Sequence, residues 1–172
     1  MKDDILFYEI QPFWRNRITT IVFILINLIF AFGFIYQIIL GFSFGNNPMS
    51  NVGLIIVMAC LFLLSVSILF YKLQTVITSE GVYVRFRPFD VKTRFFAWED
   101  IEKAYVRKYS PLREYGGWGI RGGWKSGIAY NISGNIGLQL VFESGRKILI
   151  GTNKAEELAE VLKKINGKRE QK

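Results

Sequence analysis

Two long uncharged apolar runs occupy the first half of the chain, and short alternating runs fill the second. Ile18 to Phe44 contains no Asp, Glu, Lys or Arg, and it exceeds the ~20 residues that a helix needs to cross ~30 Å of hydrocarbon. Val52 to Tyr71 is a second run of the same kind. Between them lies Gly45-Asn46-Asn47-Pro48-Met49-Ser50-Asn51, whose Gly, Asn and Pro break both helices and favour a tight reversal. The pattern predicts an antiparallel transmembrane hairpin over 18–71, with spans at about 18–44 and 52–71. A short N-terminal segment, 1–17, precedes it and a separate domain, 72–172, follows. The first run is too long for the apolar part of a signal peptide, and no small-x-small cleavage site separates it from the second.

From Leu73 the period changes. Leu73–Thr78 and Val82–Arg87 flank Ser79-Glu80-Gly81 as a predicted hairpin, with Val82, Val84 and Phe86 on one face and Tyr83, Arg85 and Arg87 on the other. Further strands are expected at Lys92–Ala97, Ile101–Tyr109, Gly127–Ile132, Gly137–Phe142 and Lys147–Ile150, about seven in all. Ser144-Gly145 supplies the tight turn between the last two. Asn153, with Glu156 three residues on, reads as a helix start. Ala155, Leu158, Ala159, Leu162 and Ile165 then mark one helical face ending near Gly167. The expected core is Val82, Val84, Phe86, Leu138, Leu140, Phe142, Leu158 and Leu162.

Charge orients the hairpin. Of twenty-two Lys and Arg residues, only Lys2, Arg15 and Arg17 precede the first span; the other nineteen lie from Lys72 onward, and the turn carries none. Basic residues flank the spans on one side, so both termini are expected in the cytoplasm of a multi-pass inner (plasma) membrane protein. Trp14, Arg15, Arg17 and Tyr71 occupy the positions of interfacial anchors. Asn27, Gln37, Ser65 and Ser67 are the polar side chains available for hydrogen bonds within the hairpin. No ionisable group lies within either run, which argues against an ion pathway. The chain has no His and one Cys, so it cannot assemble a His/Cys zinc site, a Ser-His-Asp triad or a disulfide framework. No cofactor is expected.

Three stretches carry a resemblance: Glu9-Ile10-Gln11-Pro12-Phe13 before the first span, Tyr115-Gly-Gly-Trp-Gly-Ile-Arg121, and Ala129-Tyr-Asn-Ile-Ser-Gly-Asn135. With the hairpin in front and about seven strands plus one helix behind, the chain resembles the bacterial membrane-anchored PH-like proteins. More narrowly, it resembles a two-span family with this YGGWGIR loop. The resemblance implies a membrane α-helical hairpin joined to a β-rich PH-like barrel or sandwich of antiparallel strands. It implies no catalytic residues.

The segment from Ser110 to Ser126 sets five glycines around Trp118 and Trp124, flanked by Arg113, Arg121 and Lys125. Trp and Arg are enriched among residues that dominate interfaces, and long glycine-rich loops are commonly functional. Arg113, Tyr115, Trp118, Arg121, Trp124 and Lys125 are therefore the candidate contacts for a protein partner, for self-association or for lipid. The competing expectation has the tryptophans filling the mouth of the barrel. Gly117 to Gly122 matches G-x-G-x-x-G, but a strand is expected after it and no βαβ unit surrounds it, so nucleotide binding is not expected. Lys72, Arg85 and Arg87 are candidate contacts for anionic lipid. Glu99, Asp100 and Glu102 are read as a solvated turn with Lys103 and Lys92 as ion-pair partners. No nucleic-acid signature is present. The expectation is a non-enzymatic binding or assembly module on the membrane, or an accessory subunit of a membrane transporter or enzyme complex; an enzyme using Lys, Asp or Glu chemistry is the rival.

Overall fold

A computed structural model describes residues 5–90, 92–123 and 125–169. The chain divides into two compact units, one running from Asn16 to Phe70 and the other combining the residues up to Arg15 with those from Tyr71 onward.

The β unit begins before the hairpin. Strands β1 (Ile5–Pro12), β2 (Lys72–Thr78), β3 (Gly81–Arg87) and β4 (Arg94–Ala97) form an antiparallel sheet in that order. The second sheet contains β5 (Ile101–Lys108), β6 (Gly119–Gly123), β7 (Gly127–Asn131), β8 (Ile136–Phe142) and β9 (Lys147–Gly151). Its spatial order is β5-β8-β9-β7-β6, with β7 parallel to β9 and the other pairs antiparallel. A C-terminal helix at Ala155–Arg169 closes the unit. All eight residues named above as the core are buried in one cluster, joined by Phe7, Leu73, Ile77, Trp98, Ile101 and Ile150. The Trp98 indole also donates to the Thr78 carbonyl at 2.9 Å.

Antiparallel strands are expected throughout, yet β7 runs parallel to β9; two further strands depart from the expectation, and each has a physical reason. Residues 1–17 were expected to be a segment apart from the domain, yet Ile5–Pro12 pairs with β2 from Ile5↔Thr78 to Pro12↔Lys72. Its pattern runs largely against the usual one: beside buried Phe7, Glu9 and Gln11 also point inward and are buried, whereas Leu6, Tyr8 and Ile10 face outward at 43%, 45% and 41% exposure. Glu9 accepts from the Thr152 hydroxyl at 2.6 Å and from the Asn153 backbone at 2.9 Å, and the Gln11 amide donates to the Gly151 carbonyl at 2.7 Å. The Glu-x-Gln-x-Phe stretch is thus a polar latch between β1 and the β9-to-helix corner. The other departure is β6, where three glycines in five residues leave no alternation to read. The domain boundary at residue 72 is corrected accordingly: the helical hairpin interrupts the β1–β2 connection, and the Phe13 N–H donates to the Tyr71 carbonyl at 2.8 Å.

In the helical unit, α1 (Arg17–Phe34) starts where the Asn16 side chain accepts from the Thr19 backbone at 3.2 Å. It continues through a wider turn over Ile35–Ile39. Helix α2 (Asn51–Ile68) starts at Ser50, whose hydroxyl accepts from the Gly53 N–H. Both are long and apolar enough to cross a membrane. The first ends at Ile39 rather than Phe44, because Gly41 adopts φ +74° and Phe44 folds back over Gly33, where a Cβ would meet its ring at 2.8 Å. Helix α2 ends at Ile68, short of Tyr71, which belongs to the β unit. Asn27 donates to the Ser65 hydroxyl at 2.9 Å, joining the two helices. Gln37 instead holds the connecting turn through the Met49 carbonyl and Asn51.

Candidate functional site

The glycine-rich stretch is structured. Ser110 precedes a single helical turn, α3 (Pro111–Tyr115), with Pro at its first position, where no N–H partner is needed. Gly116 ends the turn at φ +70°, a left-handed conformation that side chains disfavour. The chain then enters β6, which pairs with β7 from Gly119↔Asn131 to Gly123↔Gly127. Gly117 to Gly122 therefore leads into an edge strand and supplies no helix N-terminus for a phosphate.

One buried side chain holds this segment in place. Tyr115 is 3% exposed and packs edge-on against Tyr109 at 6.0 Å, in a small second core with Ala129 and Leu149. Its hydroxyl donates to the Ser126 carbonyl at 3.1 Å. Tyr115 thus positions the loop and does not present a contact surface. Arg107 on β5 binds the segment from the other side. Its guanidinium donates to Glu114 at 2.7 Å, to Gln139 at 2.9 Å and to the Tyr115 hydroxyl at 3.3 Å. The Glu114 bond, opposed by burial, raises the Arg107 pKa; the same bond holds the Glu114 carboxyl below its usual range, again against burial. Burial pushes the Tyr115 hydroxyl upward and takes Tyr109 up to about 12. The pattern of the sequence does not single out Arg107. The signal that could have found it is the Ser-Pro-x-x-Glu helix start, which places a carboxylate beside the preceding strand.

The remaining candidates lie at the surface. Trp118 is half-buried, outside both core clusters, and its indole donates to the Gly134 carbonyl at 3.4 Å. Arg121 is exposed and its Nε donates to the Trp118 carbonyl at 3.1 Å, while Arg113 and Lys125 are exposed on either side. Leu112 is 65% exposed, and Ile120 and Ile128 are 37% and 39% exposed. Trp124 lies outside the described residues.

The second basic set stands on the other sheet. Lys72 and Arg87 are direct cross-strand partners, and Arg85, opposite Gln74, follows two pairs along on the same face, its Nε donating to the Asp90 carbonyl at 3.3 Å. Of the anchors, Trp14 is 54% exposed and Arg15 and Arg17 are exposed, whereas Tyr71 packs edge-on against Phe13 at 6.0 Å. In the acidic run, Glu102 pairs with Lys103 at 3.0 Å. Comparison of the chain with known protein families, characterised proteins and solved structures finds no match.

Proposed function

We propose that the chain is a multi-pass protein of the inner (plasma) membrane, with both termini cytoplasmic, whose β unit is a PH-like domain that binds a membrane protein partner through the α3–β6–β7 segment. It acts by binding and assembly, not by catalysis. The strand order supports the PH-like reading. Set residues 110–135 aside, and β1-β2-β3-β4 and β5-β8-β9 remain as two antiparallel sheets followed by a helix. The glycine-rich hairpin is then an insertion that widens the second sheet. Basic residues flanking the two apolar helices on one side support the topology.

The observation that carries the partner reading is the edge strand β6. Among the described residues it pairs with β7 alone, it carries exposed Arg121 with exposed Arg113 and Lys125 on either side in sequence, and Tyr115 and Arg107 hold the α3 turn that leads into it. Natural edge strands are commonly blunted by proline, bulges or inward charges; this one has no proline, and three of its five residues are glycine. A preorganised edge with apolar and cationic side chains loses little entropy on binding.

A photo-crosslinking residue at Ile120, in native membranes, is expected to yield a protein adduct that the same residue at Glu80 does not. Arg121→Ala should abolish the adduct while changing stability by less than about 0.5 kcal/mol, as expected of a surface position. Absence of any protein adduct at Ile120, or a large loss of stability in Arg121→Ala, would refute the assignment.

A further inference from the structure

We propose that the turn between β3 and β4 seats Phe89 in the anionic headgroup layer of the membrane, a lipid contact separate from the two helices. It rests on the membrane reading given above. The starting point is the geometry of one sheet end. Pro12 at the end of β1 pairs with Lys72 at the start of β2, and Lys72 pairs with Arg87 at the end of β3. Both points at which the chain passes into the hairpin, after Arg15 and before Tyr71, therefore lie at the same end of the four-stranded sheet as the β3–β4 turn.

At that end the side chains have the composition of a membrane interface. The Phe89 ring is 60% exposed yet held, 5.1 Å from the Tyr71 ring and 6.0 Å from that of Phe86. Tyr71 is the first residue after the helical unit, so its neighbour Phe89 stands beside the chain's point of departure from the bilayer. The turn itself is built. The Asp90 N–H donates to the Phe86 carbonyl at 2.8 Å, and the Asp90 carboxylate accepts from the Phe86 N–H at 3.0 Å and from Arg94 at 3.1 Å. Arg94 thereby offsets that carboxylate, and exposed Arg15, Arg87 and Lys92 with half-buried Lys72 leave this end of the sheet net positive. An exposed aromatic ring packed on the first residue after the helical unit, at a sheet end that carries Lys72 and Arg87, fits anionic lipid.

The test uses the full chain with its single cysteine removed (Cys60→Ser) and an environment-sensitive label on Phe89→Cys or, at the far end of the sheet, Glu80→Cys. The protein is reconstituted in phosphatidylcholine vesicles containing phosphatidylglycerol. The label at position 89 is expected to be quenched by lipid brominated near the headgroup and to be several-fold less accessible to aqueous iodide than the label at 80. Omitting phosphatidylglycerol, or adding Arg87→Gln, should weaken the quenching. Hydrogen exchange over 87–90 in the unsubstituted chain should likewise slow on transfer from detergent to vesicles, which guards against an effect of the label. Equal iodide access at 89 and 80, or protection at 89 without quenching by lipid, overturns the inference. Extraction of the chain by alkaline carbonate would instead overturn the membrane reading itself, so the two failures are distinguishable.

Discussion

Arg107 and Glu114 connect β5 to the glycine-rich hairpin with a 2.7 Å charge-assisted bond, and Glu114 also accepts from the Ser110 N–H at 2.7 Å. Both contacts favour the ionised carboxylate, so its pKa lies below the ordinary 4.5, with the Arg107 bond as the main cause and burial opposing it. A carboxyl that is more acidic when folded supplies stability that is complete above the unfolded value and is lost as pH falls through the lowered one. Glu114→Gln is therefore expected to destabilise the protein by about 1 kcal/mol at neutral pH, the scale of a partly exposed ion pair. The gap between the two proteins should close as the pH drops below the ordinary carboxylate range. Melting curves across that range check the sign; a gap that stays constant with pH would show that packing, not charge, is at stake. The same residues illustrate what the sequence leaves hidden. Trp118 and Arg121 draw attention by type, but Arg107 acquires its role only when β5 and β8 bring Gln139 beside it, a contact thirty-two positions away in the chain.

At the scale of elements, legibility follows the side-chain pattern. The β2–β3 hairpin, the β8–β9 turn at Ser144-Gly145 and the C-terminal helix were readable because their apolar residues fall on the buried face. Strand β1 was not, because its buried face carries Glu9 and Gln11 and its exposed face carries Leu6, Tyr8 and Ile10. Only tertiary partners make that arrangement tolerable. The Glu9 carboxylate is satisfied by Thr152 and Asn153, and those bonds close the corner from which the last helix departs. Glu9→Ala should thus cost about 2–4 kcal/mol, since it removes two hydrogen bonds to a buried charge and orphans their donors. Ile10→Ala, on the exposed face of the same strand, should cost under about 1 kcal/mol. Chemical denaturation of the two variants decides between a latch and an ordinary edge strand. In the helical unit, the bond from Asn27 to Ser65 was anticipated because few polar side chains were available to make it. Asn27→Leu is expected to weaken helix association by about 1 kcal/mol, measurable by denaturant titration in detergent.

For the molecule as a whole, the most consequential feature is that the helical hairpin is an insertion into a β-hairpin. Pro12 and Lys72 are cross-strand partners, and the Phe13–Tyr71 backbone bond closes the ladder just before the chain departs. Deleting Asn16–Phe70 and joining Arg15 to Tyr71 through a short Asn-Gly turn should leave β1 and β2 as an ordinary two-stranded connection. The entropy of loop closure falls when a long excursion is replaced by a short one, so the deletion brings no penalty of its own. The joined chain keeps Phe7 in the main core and keeps the Glu9 and Gln11 latch, and it is expected to melt cooperatively. A fragment confined to residues 73–172 lacks all three. It exposes the edge of β2 as an unpaired strand, and it leaves Thr152 and the β9 corner without their acceptor. That fragment should unfold at a much lower denaturant concentration than the joined chain, or fail to melt as a single transition. Equal midpoints for the two would mean that β1 contributes nothing to the folding unit. A lower midpoint restored by adding back residues 1–15 as a separate peptide would show that the strand acts through its contacts, not through its covalent link to the helical hairpin.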